Sequence, residues 1–235
     1  MLYVPLREFV VGHEVTAGET ATFIIQSSEG VGAAFLVDEQ VGLTAAHVLG
    51  DAEFVRVLNP REDDELLIAR VVARNESDDL AVIYFQRPPG AEPLQLTEDA
   101  TIGQEVVAVG APGGVLTSTA GEIVEVNDEY LRADARVTKG NSGGPLINSD
   151  GEVVGLVTQL ESSTNFAVAR PASELSAILV EASTRENPPS DSGAFPSTVI
   201  AIVLVVVIVS LVMTVIARIV MIRKRSRRLI RIQVD

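Results

Sequence analysis

The sequence predicts a mainly β protein: two small barrels closed by one helix, followed by a membrane helix. Three observations carry that expectation. Hydrophobic residues make up 47% of the 235, yet aromatics are only 4% and Trp is absent. The core must therefore rest on Val, Ile, Leu and Ala, and β-branched residues favour strands. Short alternating or apolar runs recur along the chain, separated by turn residues such as Asp150-Gly151 and Pro112-Gly113-Gly114. Strands at that spacing build a closed barrel or a sandwich. Lastly, residues 199–217 form 19 positions without a charge.

Taken in order, residues 1–19 are an amino-terminal extension. Met1 to Glu14 lacks a basic start and an unbroken apolar stretch, so no signal peptide is read there. Strands are expected at 21–26, 33–37, 54–58, 66–73, 80–85, 106–110, 122–126, 153–158 and 165–169. Residues 87–97, with Pro88, Pro89 and Pro93, divide this region near its middle, the natural joint between two barrels. Residues 171–183 place apolar side chains near helical spacing and are expected to close the domain as a helix, with Ser173 the candidate N-cap.

Residues 184–198 read as a linker, 199–220 as a transmembrane helix and 221–235 as a basic tail. At about 1.5 Å per residue the uncharged run spans ~28 Å, which matches a bilayer core. No soluble strand is that long, and only helices and closed barrels cross lipid. Arg218 stands where its side chain can snorkel, and Arg223-Lys224-Arg225-Ser226-Arg227-Arg228 follows. That cluster predicts a cytoplasmic tail and an extracytoplasmic body in a single-pass cell-membrane protein. Without a visible signal peptide three accounts stay open: the helix exports the domain before it, the start codon is misplaced, or the protein is tail-anchored and faces the cytosol.

Charge narrows the function classes. Residues 1–195 hold 11 basic and 31 acidic side chains, a net of −20, and only two lysines occur in the chain, Lys139 and Lys224. So acidic a body lacks the basic face that nucleic-acid binding needs. There is no cysteine, so neither a disulfide nor a thiolate-metal framework is available. No His/Asp/Glu spacing resembles a metal site, and no glycine-rich loop has a phosphate-binding context, so neither metal nor cofactor is expected.

The chemistry-bearing residues lie in three segments. Leu43-Thr44-Ala45-Ala46-His47-Val48-Leu49 sets an imidazole among small and apolar residues at a strand end. Asp78-Asp79-Leu80-Ala81-Val82 puts an acid at the start of an apolar strand, where a shielded carboxylate can fix an imidazole's tautomer. Gly140-Asn141-Ser142-Gly143-Gly144-Pro145-Leu146 sets a serine among glycines, on a loop whose N–H groups can converge on one spot. The other histidine, His13, lies outside every motif, and Asn75-Glu76-Ser77 matches a glycosylation acceptor that arises often by chance.

In this His, Asp, Ser order the segments resemble trypsin-like serine proteases of the chymotrypsin fold, and their flanks resemble the HtrA/Deg branch. Gly30-Val31-Gly32-Ala33-Ala34-Phe35-Leu36-Val37, Val109-Gly110-Ala111-Pro112-Gly113-Gly114 and Gly151-Glu152-Val153-Val154-Gly155-Leu156 add to the likeness, which covers about residues 20–180. The resemblance implies two six-stranded antiparallel barrels within a protease domain at 20–183. It implies a serine endopeptidase working on protein or peptide substrates through an acyl-enzyme. Ser142 would attack, His47 would move the proton, Asp79 would orient the imidazole with Asp78 as the alternative acid, and the N–H groups of Gly140 and Ser142 would form the oxyanion hole. Trimers and roles in quality control or processing are usual in that branch, here near the membrane. The branch also commonly carries PDZ domains, and none fits the residues 184–198 before the span. Lys139 stands where proline is common, and Arg136 precedes Ser142 in the region that shapes the primary specificity pocket; both are expected to face solvent. The competing reading is a protease-like binding or signalling module whose catalysis is latent.

Overall fold

A computed structural model describes residues 18–61 and 65–185. The expected linker, membrane span, basic tail and most of the amino-terminal extension, with His13, lie outside the described residues. Among the described residues no helix is long and apolar enough to cross a membrane.

Among the described residues, beside a helical turn at 18–21 and a 3-10 turn at Pro112–Gly114, twelve strands and two helices follow one another. They are β1 (Thr22–Ser27), β2 (Gly30–Leu36), β3 (Val41–Thr44), α1 (Ala46–Leu49), β4 (Phe54–Asn59), β5 (Glu65–Asn75), β6 (Leu80–Tyr84), β7 (Glu105–Gly110), β8 (Thr117–Val126), β9 (Leu131–Arg136), β10 (Pro145–Asn148), β11 (Val153–Leu160), β12 (Phe166–Pro171) and α2 (Ala172–Arg185). They form two closed antiparallel barrels of six strands each. The first runs β1-β2-β3-β6-β5-β4 and the second β10-β11-β12-β9-β8-β7. The two-barrel expectation holds, and the sandwich alternative falls because each sheet closes on itself. The joint is the stretch between β6 and β7, where Leu94 N–H donates to Leu36 O of barrel 1 and Leu96 makes an isolated bridge to Val153 of barrel 2.

Alternation sets which side faces in. In β4, Val55, Val57 and Asn59 are buried while Phe54 and Arg56 are exposed. Barrel 1 is filled by Phe23, Ile25, Phe35, Leu43, Leu80 and Val82, and Phe23 meets Phe85 edge to face at 5.2 Å. The same apolar cluster takes in Val107, Val109, Ile147 and Leu156 of barrel 2, together with Leu175, Ile178 and Ala182 of α2. Barrel 2 has its own interior of Val106, Ile123, Leu131, Leu146, Val154 and smaller alanines. The seam between the barrels is thus apolar packing, and α2 seals it with residues spaced i, i+3, i+7 on one face.

Several local expectations need correction. The expected runs omit β9 and β10 and contain β3 only as the strand end ahead of His47, although the resemblance implies six strands in each barrel. Helix α2 starts at Ala172, because Pro171 still pairs with Gly155 as the last residue of β12. Ser173 consequently sits inside the first turn and is not the N-cap. His47 lies on α1, a single turn after β3, and not at a strand end.

Candidate active site

The short helix α1 buries Ala46, Val48 and Leu49 and leaves His47 outward. Ala45 offers no capping side chain. The orphan N–H groups of this turn are instead met from 32 residues away. Ala46 N–H donates to Asp79 O at 3.2 Å, and His47 N–H to Asp79 Oδ1 at 2.8 Å. The other carboxylate oxygen, Oδ2, lies 2.7 Å from His47 Nδ1. One aspartate therefore caps the helix and holds the ring of its second residue.

Local geometry selects between the two adjacent acids. Asn75 Oδ1 accepts from Ser77 N–H at 3.1 Å, from Ser77 Oγ at 2.7 Å and from Asp78 N–H at 3.2 Å. The Asn75 amide also donates to the Asp78 carboxylate. Asp78 is thereby committed to the turn, and Asp79 adopts φ +56°, a left-handed conformation that aspartate tolerates better than most residues. That twist points Asp79 at His47. The same network engages the Asn75 amide, so the Asn75-Glu76-Ser77 pattern is a turn.

Asp79 is mostly shielded, its side chain 19% exposed, whereas His47 keeps 51%. The imidazole has one edge on the carboxylate and the other open to solvent. Its pKa is raised above the usual 6.5, chiefly by the hydrogen bond to Asp79 with a smaller contribution from that carboxylate's charge, against a partial lowering by burial.

Ser142 comes from barrel 2 on residues 138–144. Asn141, 3% exposed, accepts from Thr138 N–H through its Oδ1 and donates its own N–H to Thr138 O, both at 3.1 Å. Gly143 N–H donates to Val157 O at 2.7 Å, and Ala33 N–H of β2 donates to Ser142 O at 2.8 Å. The loop is thus pinned on one side to β11 and on the other to barrel 1. Gly143 requires its missing side chain: φ is +84°, and a Cβ would stand 2.1 Å from Ala33 O and 2.4 Å from Thr44 Oγ1. Val48, the neighbour of His47, lies against Gly32, as does Ser142 O. The nucleophile candidate therefore sits beside α1.

Three backbone donors in this loop, that of the exposed Lys139 among them, meet no acceptor among the described residues. The other two are Gly140 N–H and Ser142 N–H, although Gly140 is buried and its carbonyl accepts from Ala111 N–H at 2.9 Å. A buried donor without a partner costs about 1–3 kcal/mol, a cost that falls on Gly140, since Ser142 is only partly buried. The Ser142 hydroxyl donates to Thr158 O at 3.4 Å, and no hydrogen bond joins it to His47. Thr158 stands at an irregularity of the β11–β12 register, between Val157 and Gln159, where an extra residue re-aims the chain. Thr158 and Thr44 belong to the site but carry no signature in the sequence beyond their place near the motifs.

Arg136 and Lys139 are exposed. Arg136 borders an open cleft of about 570 Å³ on barrel 2, beside Glu105, Glu122 and Asp134, an acidic setting that offsets its charge.

Comparison with known proteins adds the family context. A family model described as a trypsin-like peptidase domain matches residues 32–156. Serine protease HTRA1 of Xenopus tropicalis is 31% identical over 173 residues, covering 66% of this chain and 37% of that protein. Putative serine protease HhoA of Synechocystis is 32% identical over 168 residues, with 63% and 42% covered. Periplasmic serine endoprotease DegP of Salmonella typhimurium is 30% identical over 149 residues, with 57% and 31% covered. The chain thus spans between 31% and 42% of the length of these three relatives. Among solved structures, the serine endoprotease from Yersinia pestis shares the fold at a TM-score of 0.66 and 24% identity, over 73% of this chain and 65% of that one. The Rv3671c protease in an inactive form aligns at 0.65 and 27% identity, over 77% of this chain and 98% of that one.

Proposed function

The chain belongs to the trypsin-like peptidase family, and from that premise we propose that it is a serine endopeptidase using Ser142, His47 and Asp79. Ser142 Oγ attacks the scissile carbonyl while His47 takes its proton through Nε2. Asp79, on Nδ1, fixes the tautomer and balances the imidazolium. The carbonyl oxygen becomes an anion between the N–H groups of Gly140 and Ser142. His47 then gives the proton to the leaving amine, and water hydrolyses the acyl-enzyme by the same steps in reverse.

The observation that supports this reading best is the unpaired N–H pair beside Ser142. Losing one such donor costs about 3–4 kcal/mol of barrier in comparable sites. The second reading, a latent module, draws on the Ser142 hydroxyl, which donates to Thr158 O and not to His47. In this proposal the site is at rest until substrate binding turns Ser142 from Thr158 O towards His47.

Substrates are proteins or peptides, unfolded or near a membrane, by analogy with the relatives. The apolar run at 199–217 and the basic cluster after it support anchoring by one helix, with the body extracytoplasmic as for the relatives named periplasmic. A homo-oligomer, such as a trimer, is part of the same analogy.

Fluorophosphonate labelling of the full-length chain tests the activity. We expect covalent modification that Ser142→Ala abolishes. Absence of labelling with and without added peptide refutes the endopeptidase and leaves the latent module. Digestion of the body by external protease on intact cells tests the topology.

A further inference from the structure

The acid that meets His47 is carried on a turn, residues 75–79, whose internal bonds shape it but do not anchor it to the other barrel. One side chain does. Arg170, near the end of β12 in barrel 2, donates from Nη2 to Ser77 O at 3.2 Å and from Nη1 to Glu129 O at 2.9 Å. Ser77 lies 93 residues away in the chain, in barrel 1, two positions before Asp79. Glu129 lies in the β8–β9 turn of barrel 2. The guanidinium fork thus ties one carbonyl from each barrel.

We propose that Arg170 is a positioning residue for the triad acid: it holds the 75–79 turn at the height where Asp79 meets both His47 N–H and Nδ1. This rests on the reading of His47 as the general base. The charges facing the fork strengthen the inference. Asp78 of the turn, Glu129 of barrel 2 and Arg170 itself all act on Glu174 of α2. Glu174 has its carboxyl pKa pushed up by burial and by the Asp78 and Glu129 charges, with Arg170 acting the other way. Removing Arg170 would free the Ser77 carbonyl and leave Glu174 facing the Asp78 and Glu129 charges without the guanidinium. Lysine would restore the charge but not the planar fork that reaches two carbonyls at once.

The imidazole itself reports the outcome independently of turnover. The chain holds only two histidines, so the His47 resonance in a proton NMR titration of the full-length chain is assigned by His13→Gln. Loss of a nearby cation would by charge alone raise the His47 pKa. Loss of the Asp79 contact lowers it. For Arg170→Met we expect the His47 pKa to fall, and fluorophosphonate labelling at neutral pH to slow by roughly 10- to 100-fold, the scale of a small misplacement of a catalytic group. Arg170→Lys should lie between Met and wild type. Arg132→Met is the control: its guanidinium pairs with Glu125 and Glu161 within barrel 2, and it should leave the His47 titration in place. A His47 pKa that stays or rises in a folded Arg170→Met or Arg170→Lys chain overturns the proposal. A His47 pKa that falls in a chain that never labels leaves the positioning role standing and overturns the proposed activity.

Discussion

Replacing Gly143 by alanine isolates what the nucleophile loop requires of its seat. Two costs are separable there. Alanine at φ +84° enters the left-handed region at about 1–2 kcal/mol. Its Cβ would also press on Ala33 O at 2.1 Å. That oxygen is the acceptor for Thr44 Oγ1 at 2.6 Å, in a buried hydrogen bond. Forced overpacking costs about 1–3 kcal/mol, and a disturbed buried hydrogen bond about 1–3 more. The expected loss is therefore about 3–8 kcal/mol, a large part of the 5–15 typical of a domain. Gly151→Ala supplies the reference. Its φ is +80°, but nothing lies within 4 Å of its Cβ position, so only the conformational cost of about 1–2 kcal/mol applies. Urea unfolding of both full-length variants by circular dichroism measures the difference through the midpoints at constant m. Equal losses within about 0.5 kcal/mol, the usual scatter of such comparisons, would show that the loop does not rest on β2 as described.

Two further outcomes follow from the site and the core. Asp79→Asn should lower kcat by about 10³- to 10⁴-fold and shift the acidic limb of kcat/KM to lower pH, because the raised His47 pKa comes mainly from Asp79; an unmoved limb would contradict that cause. The same linkage has a stability side. A histidine pKa raised by folding stabilises most below about 6.5, and the contribution fades as pH rises through the folded value. Asp79→Asn should remove this pH dependence from urea midpoints taken across that window. Phe85→Ala should cost about 3–5 kcal/mol, since the ring is 4% exposed and meets Phe23 edge to face; a loss under about 1 kcal/mol in urea unfolding would mean that the barrel 1 interior is not packed around this pair.

How far the fold could be read in advance depended on how each strand uses its two faces. Strand β4 alternates because one face is barrel interior and the other solvent. Strand β10, Pro145 to Asn148, does not alternate, since all four residues are buried. Leu146 fills barrel 2 while Ile147 joins the cluster across the seam. Two buried faces erase the period-two signal, and the strand hides behind the serine motif. Strand β9 is blurred by small side chains, Ala133 and Ala135, and β3 is only four residues long with Gly42 under the ring of Phe85. The residues at 47, 79 and 142 were legible as ordered motifs. The preference for Asp79 over Asp78 came from the resemblance alone, because its physical ground is a backbone torsion and Asn75 engaging the neighbouring acid. The resemblance pointed to the N–H groups of Gly140 and Ser142, but that they lack an acceptor is a property of the assembled loop.

The seat of residue 142 also sets an order of events during synthesis. A chain made from its amino end completes β1 to β6, and with them the histidine–aspartate contact, while the serine loop is still unmade. That loop then needs the Val157 carbonyl from β11 and the Ala33 amide from β2, so it takes shape only after both barrels exist and have met. A product that stops short of β11 carries the earlier pair without an organised serine, and a chain split between β6 and β7 leaves each fragment with half of the chemistry. In the proposed reading the chemistry is therefore complete only once the second barrel has folded against the first.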